Sequence, residues 1–146
     1  MAGPILFGYD GSELAQLAIE EAGRQLAPGR DAVVLCVWQP ADVGFLPIDG
    51  RHFDAQNAAE VQEAAAATAA HGASLAEQAG FKSQSLAMEA APTWKGIVET
   101  AEERKASVIV LGSHRRSGLM GHLLGSVAAA VVTRARVSVL VVPQRS

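Results

Sequence analysis

The chain alternates short apolar runs of strand length with longer segments of helical spacing, and this alternation constrains the fold more than any other feature. The runs PILFGY at 4–9 and AVVLCVW at 32–38 are almost continuously apolar, as expected for strands covered on both faces. The segment between them repeats apolar residues three and four positions apart, which is typical of a helix. Strands that alternate with helices pair in parallel through right-handed crossovers, so the pattern predicts a parallel sheet.

Five strands and four helices are predicted in this way. The strands are expected at 4–9, 32–38, 82–89, 107–111 and 137–142, and the helices at 13–27, 57–79, 93–105 and 126–135. Residues 39–55 contain prolines and glycines and are predicted to form a long irregular segment, either a lid or a mobile excursion. We therefore predict an α/β fold. It is a single doubly wound domain over residues 1–146, with helices on both faces of a five-stranded parallel sheet of order 3-2-1-4-5.

Three local features of the helices are also predicted. The core face of the first helix is expected to carry five apolar residues, namely Leu14, Leu17, Ala18, Ala22 and Leu26. Thr93, which follows Pro92, is predicted to cap the third helix. The second helix contains Gly72, where an interruption is one expectation.

Composition excludes several classes of protein. Hydrophobic residues make up 49% of the 146 residues and charged residues 18%, which is typical of a folded globular chain. The net charge of −3 argues against a nucleic-acid partner. No apolar stretch reaches the roughly 18 residues of a membrane span, and MAGPILFGYDG lacks the pattern of a secretory signal. We expect a cytoplasmic protein without a membrane partner, in which the single Cys36 is buried and reduced.

A segment rich in glycine and serine, GSHRRSGLMGHLLGS at 112–126, follows the fourth predicted strand. The segment YDGS follows the first strand, and doubly wound sheets bind ligands at the carboxyl ends of their strands. Phosphate requires backbone N–H donors at close range, and glycine removes the Cβ that would block the approach. The segment therefore predicts a phosphate site, and the alternative is a long surface turn.

Several side chains near these two segments are candidates for binding. Ser126 is predicted to cap the last helix and to donate its hydroxyl to a phosphate oxygen. Ser113, His114, Arg115 and Arg116 add donors and positive charge, although His114 is better interpreted as a solvated loop residue. Asp10 is a candidate for a ribose hydroxyl, and either Asp10 or Ser12 is expected to cap the first helix.

The same segments resemble the universal stress protein family over nearly the whole chain. The resemblance rests on ILFGYDGSELAQLAIEEA, VVLCVW, SVIVLGSH and GLMGHLLGSVAAAVVTRARVSVLVVP. One branch of that family binds nucleotides through a loop of the form G-x-x-G, nine residues, then G-[ST]. Gly112 and the pair Gly125 and Ser126 match this form, Ser117 falls inside the spacer, and the second glycine is replaced by Arg115.

The resemblance implies an adenine nucleotide, ATP or AMP, as the ligand. The adenine is expected on backbone atoms of Val37, the ribose near Asp10 and the phosphates in the glycine segment. Mg²⁺ is expected only as the companion of a triphosphate. The resemblance also implies a homodimer through the last strand, VSVLVV, which begins at Val137 and ends at Val142.

Two functions remain open at this stage. The first is a cytoplasmic nucleotide-binding stress or regulatory protein in which Arg115 clamps a phosphate or swings clear of it. The second is a dimeric protein whose site is filled by Arg115 and which contacts another protein through residues 39–55. Catalysis is not expected beyond slow ATP hydrolysis. A Ser126, His114 and Asp10 triad is disfavoured because no G-x-S-x-G elbow is present, and no histidine spacing indicates zinc.

Overall fold

The computed structural model describes residues 3–39, 55–113, 116–118, 121–123 and 125–144. The strands are β1 (Ile5–Gly8), β2 (Asp31–Trp38), β3 (Lys82–Glu89), β4 (Val108–Ser113), β5 (Arg116–Gly118), β6 (Gly121–Leu123) and β7 (Ser138–Pro143). The helices are α1 (Glu13–Gln25), α2 (Ala55–Gln78), α3 (Thr93–Glu103) and α4 (Ser126–Arg134). Most of the predicted excursion at 39–55 lies outside the described residues.

The main sheet is parallel and has the order β3-β2-β1-β4-β7, which confirms the predicted order 3-2-1-4-5. Strand β1 lies at its centre, where Ile5 is in register with Ala32 of β2 and Val108 of β4. The chain builds outward from β1 to β3, then returns across the sheet to β4. The order therefore reverses between β1 and β4, and the crevice expected of a doubly wound sheet opens there.

Alternating residues of the strands face two separate cores. Ile5 and Phe7 of β1 pack with residues of α1 and α2 on one face of the sheet. Leu6 of β1 packs with residues of α3 and α4 on the other face. Because successive side chains of a strand point to opposite faces, the continuous apolar run in β1 fills both cores, as the sequence predicted.

The buried face of α1 differs from the predicted one. Ser12 begins the helix by accepting a hydrogen bond at its hydroxyl from the Ala15 amide at 3.1 Å. The buried residues are Leu14, Ala15, Ala18, Ile19 and Ala22. Leu17 is 45% exposed, so its predicted place in the core was wrong. At 3.6 residues per turn, Leu17 lies roughly 130° around the helix from the centre of the buried face.

Helix α2 runs without a break through Gly72, so the interruption does not occur. A Cβ at this position would lie 2.7 Å from Tyr9 Cδ2 and 2.7 Å from Val34 Cγ1. Glycine therefore allows the helix to approach the sheet closely. No helix within the described ranges, this 24-residue one included, is long and apolar enough to cross a bilayer.

Several predicted boundaries were displaced, and three of them lie in α3 and β4. Pro92 is the N-cap of α3, and Thr93 is its first helical residue, so Thr93 is not the cap. The helix ends at Glu103, and Lys105 beyond it has a φ of 55°. Strand β4 extends to Ser113 because Gly112 and Ser113 continue its pairing with β7.

A matched pair of substitutions in α1 tests the assignment of its buried face. Ile19→Ala is expected to lower the free energy of unfolding by about 2–5 kcal/mol, because Ile19 is 1% exposed in the core. Leu17→Ala is expected to change it by less than about 1 kcal/mol, since its side chain is already largely in solvent. Urea denaturation measures both, and equal losses would contradict the assigned face.

Candidate functional site

A cavity of about 240 Å³ opens where β1, β2 and β4 end at the carboxyl edge of the sheet. Its polar and glycine lining is Gly8, Tyr9, Asp10, Ser12, Thr93, Gly112, Ser113, Gly125 and Ser126. Its larger apolar residues are Leu14, Leu35, Val37, Ile97, Leu111 and Val127. The tertiary structure thus brings together six of the seven residues predicted from the sequence to bind a ligand. The seventh, Arg115, lies outside the described residues.

The lining divides the cavity into two unlike ends. Leu35, Val37 and Ile97 form an apolar end beside β2 and α3, with Thr93 at its rim. Beside β4 and α4 the lining includes Gly112, Gly125 and Ser126 together with the apolar Leu111 and Val127, and the backbone amides at the start of α4 make this end polar. Asp10 lies between them because it follows β1, the strand between β2 and β4. Since neighbouring strands are about 5 Å apart, the ends of β2 and β4 are separated by about 10 Å.

Ser113 joins the two ends of the glycine-rich segment. Its hydroxyl oxygen accepts a hydrogen bond from the Gly125 amide at 2.9 Å, and its carbonyl accepts one from the Gln144 amide at 3.0 Å. The residue is only 3% exposed. The sequence predicted Ser113 as a ligand donor, whereas the structure shows its hydroxyl oxygen engaged in closing the segment.

Gly112 has a structural reason to be glycine. A Cβ at this position would lie 2.8 Å from the carbonyl oxygen of Leu14 and 2.8 Å from its Cγ. Backbone cannot give way as a flexible side chain can, so a larger residue would push α1 away from β4. The glycine that the sequence assigned to phosphate approach is thus also required for the packing of α1 against the sheet.

Helix α4 begins at the cavity without a side-chain cap. Gly125 is the N-cap, its carbonyl accepts the first helical bond from Ala129 at 2.9 Å, and Ser126 is the first helical residue. The prediction that Ser126 caps the helix was therefore wrong. The N-terminal amides of a helix carry partial positive charge, and here no side chain of the cap satisfies them.

The structure decides between Asp10 and Ser12 as the cap of α1. Ser12 caps α1, and the Oδ1 oxygen of Asp10 accepts a hydrogen bond from the Ser12 amide at 3.0 Å. Gly11, between them, has a φ of 84°, a conformation that favours glycine. This turn holds the Asp10 carboxylate, which is exposed, at the cavity.

Tyr9 contributes a buried phenol on the α2 side of β1. Its hydroxyl lies 2.9 Å from Nδ1 of His71, and the imidazole tautomer decides which group donates. Burial raises the pKa of Tyr9 above its ordinary value, and the neighbouring Asp10 carboxylate adds to the rise, while a hydrogen bond with Gln16 opposes it. The phenol is therefore neutral at physiological pH and acts by hydrogen bonding.

Sequence reasoning missed the contribution of α3 to the cavity. Thr93 and Ile97 line it one helical turn apart, and Gln39 Nε2 donates to Thr93 Oγ1 at 2.9 Å. The available signal was topological. A helix that follows a parallel strand begins at the same edge as that strand's carboxyl end, so the first turn of every crossover helix is a candidate for the site.

The glycine-rich segment contains a short antiparallel hairpin that the sequence did not predict. Strand β5 pairs with β6, with Arg116 opposite Leu123 and Gly118 opposite Gly121. His114 and Arg115 lie outside the described residues. Within the described part of the chain, no three histidine, cysteine or acidic side chains group as metal ligands do.

These features define the class of the protein. It is a doubly wound α/β domain whose ligand-sized cavity lies at the reversal of the strand order, between an apolar end and an uncapped helix N-terminus. A family model described as the universal stress protein family matches residues 1–143. The chain belongs to the universal stress protein family.

Individual relatives agree with this assignment. Universal stress protein Rv2005c of Mycobacterium tuberculosis is 35% identical over 154 aligned residues, which cover 97% of this chain and 45% of the relative. This chain therefore spans about half the length of the curated relatives that match nearly all of it.

Two solved structures share the fold over nearly the whole chain. The hypothetical protein MJ0577 is 25% identical with a TM-score of 0.78, and the match covers 100% of this chain and 99% of that one. A universal stress protein in complex with cAMP is 25% identical with a TM-score of 0.62, and the match covers 98% of each chain.

Gly112→Ala tests whether this glycine is required for packing in the absence of a ligand. The added methyl group meets the Leu14 backbone, so we expect the free energy of unfolding of the dialysed protein to fall by about 1–3 kcal/mol. Ser126→Ala, at an exposed position of the same cavity, is the control and should change it by less than about 0.5 kcal/mol. Unchanged urea denaturation of Gly112→Ala would disprove the packing role.

Proposed function

We propose that this chain binds an adenine nucleotide in the cavity at the carboxyl edge of the sheet and acts as a regulatory binding protein. The observation that carries the proposal is the division of the cavity into an apolar end and an end of uncapped backbone amides. A nucleotide has the matching division, with a flat base at one end and phosphate at the other. The relative solved with cAMP supports the choice of ligand class.

Each part of the ligand has a counterpart in the lining. The base is assigned to the apolar end, against Leu35 and Ile97, with backbone atoms of Val37 as its polar contacts. The ribose is assigned to Asp10, whose Oδ2 can accept from a hydroxyl while Oδ1 holds the Ser12 amide. Phosphate is assigned to the Gly112, Gly125 and Ser126 end, where the α4 N-terminus favours an anion.

The lining favours binding over chemistry. Among the described residues that line the cavity, the ionisable side chains are Tyr9 and Asp10. Hydrolysis of a phosphoanhydride requires a positioned water and metal-assisted charge neutralisation, and Asp10 is already engaged in the β1–α1 turn. Mg²⁺ enters the proposal only as the companion of a triphosphate. Bound nucleotide would act by stabilising the conformation that binds it.

Calorimetric titration of the dialysed protein with ATP–Mg²⁺, AMP and cAMP tests the proposal. We expect binding that Asp10→Ala weakens about 10- to 100-fold, because a charge-assisted hydrogen bond is lost, and that Ser126→Ala weakens about 3- to 10-fold. Asp31→Ala is the matched control, since Asp31 is an exposed carboxylate at the start of β2, at the opposite edge of the sheet. No binding of any of the three nucleotides to the folded protein would contradict the proposal.

Titration of Arg115→Gly distinguishes a site that binds nucleotide in the native chain from a site that the Arg115 side chain blocks. If Arg115 tolerates or contacts phosphate, the variant should bind AMP with unchanged or weaker affinity. Binding that appears only in Arg115→Gly would instead show that the native chain has a closed site, and would favour a protein partner as its ligand.

We also propose that the chain forms a homodimer through β7. This strand occupies one edge of the sheet, and its residues Val139, Leu140 and Val141 are only partly buried. An apolar edge strand is a template for pairing with a second chain. The other edge strand, β3, is more polar, with the sequence KSQSLAME.

Sedimentation equilibrium at micromolar concentration should therefore give twice the mass of one chain. Ser138→Lys places a charge on β7 and is expected to weaken the dimer, whereas Ser85→Lys, at an exposed serine of β3, should leave it intact. A monomeric native chain, or equal effects of the two lysines, would argue against pairing through β7.

A further inference from the structure

Thr93 holds an unusual position among the polar groups of the cavity. The other described hydroxyl and carboxylate groups of the lining belong to the β1–α1 turn or to the ends of the glycine-rich segment, except for the phenol of Tyr9. Thr93 lies instead on α3, beside Val37 and Ile97. It is thus the polar side chain of the described apolar end, at the place assigned to the base.

The hydrogen bonding of Thr93 fixes how its hydroxyl can act. Gln39 Nε2 donates to Thr93 Oγ1 at 2.9 Å, so one lone pair of the oxygen is engaged. A threonine hydroxyl has a single proton to donate, and among the described residues no acceptor receives it. Accepting a hydrogen bond also strengthens a hydroxyl as a donor. The group therefore presents a donor at the rim of the apolar end.

A lone donor in an apolar wall discriminates between ligands more strongly than the wall itself. Apolar contacts accept any flat ring of suitable size, whereas a donor left without an acceptor carries a desolvation cost. The unprotonated ring nitrogens of a purine are acceptors that lie in the plane of the base. Their chemistry complements a single hydroxyl proton at the edge of the pocket.

We propose that Thr93 is a base-recognition residue, whose hydroxyl donates a hydrogen bond to an unprotonated ring nitrogen of the bound purine while Gln39 holds its oxygen. The inference rests on the proposed nucleotide function and adds a specificity determinant to it. Gln39 follows β2 and Thr93 begins α3, so the bond between them also fixes the spacing of the two elements that enclose the base.

The test combines a variant of the protein with variants of the ligand. Thr93→Val removes the hydroxyl at nearly constant volume, and affinities are measured for AMP, for ribose 5-phosphate, and for three AMP analogues in which carbon replaces N1, N3 or N7. We expect Thr93→Val to bind AMP about 3- to 10-fold more weakly and ribose 5-phosphate with unchanged affinity. One of the three analogues should bind the native chain as weakly as AMP binds Thr93→Val. The same analogue should bind Thr93→Val with the affinity that it has for the native chain.

Two further variants keep the interpretation specific. Thr93→Ser retains the hydroxyl and should bind AMP within about twofold of the native chain. Thr133→Val is the matched control, because Thr133 is an exposed threonine of α4 whose hydroxyl donates to the Ala129 carbonyl at 2.9 Å. It should leave every affinity unchanged.

Each contrary outcome has a distinct meaning. AMP affinity that is unchanged in Thr93→Val overturns the inference and leaves the proposed function intact. A loss that is the same for AMP, for ribose 5-phosphate and for all three analogues also overturns it, because Thr93 would then act only on the shape of the site. A native chain that fails to bind AMP overturns the proposed function and this inference with it.

Discussion

The parallel pairing of β1 with both β2 and β4 is the constraint on which the rest of the structure depends. It directs the carboxyl ends of three strands to one edge of the sheet, and the order of the strands reverses there. The crossover helices must then begin at the same edge, so α1, α3 and α4 all start beside the cavity. The cavity is a consequence of chain direction, and its chemistry depends on which residues follow each strand.

The close approach of helices to the sheet explains why two positions, Gly72 and Gly112, are glycine, although local sequence patterns assign them other roles. Gly72 lets α2 lie against Tyr9 and Val34, and Gly112 lets the first turn of α1 lie against β4. In both cases the space for a side chain is taken by another element of the fold. Gly112, near the end of β4, is therefore required for packing whether or not a ligand binds, so ligand binding and stability have to be measured separately at this position.

The hydrogen bonds at the edge of the cavity make an irregular segment into a defined site. The Ser113 hydroxyl oxygen holds the Gly125 amide, the Asp10 carboxylate holds the Ser12 amide, and the Gln39 amide holds the Thr93 hydroxyl. Each bond fixes the start of a helix relative to a strand. Helices α3 and α4 both begin without a side-chain cap, but at the start of α3 the Thr93 hydroxyl is held by Gln39. The N-terminus of α4 lies at the polar end of the cavity.

The sequence by itself determined the order of the elements and the parallel sheet, because apolar periodicity is a local property. It also predicted six residues that meet at the cavity, from the strand ends, from the glycine-rich segment and, for Val37, from the resemblance to a family. Only the tertiary structure decided that Leu17 faces solvent, that Gly125 rather than Ser126 caps α4, and that Thr93 and Ile97 line the apolar end. The physical reason is that burial, capping and proximity depend on the distances between elements far apart in the chain. No local pattern records those distances, whereas the packing of two layers of helices on one sheet fixes them.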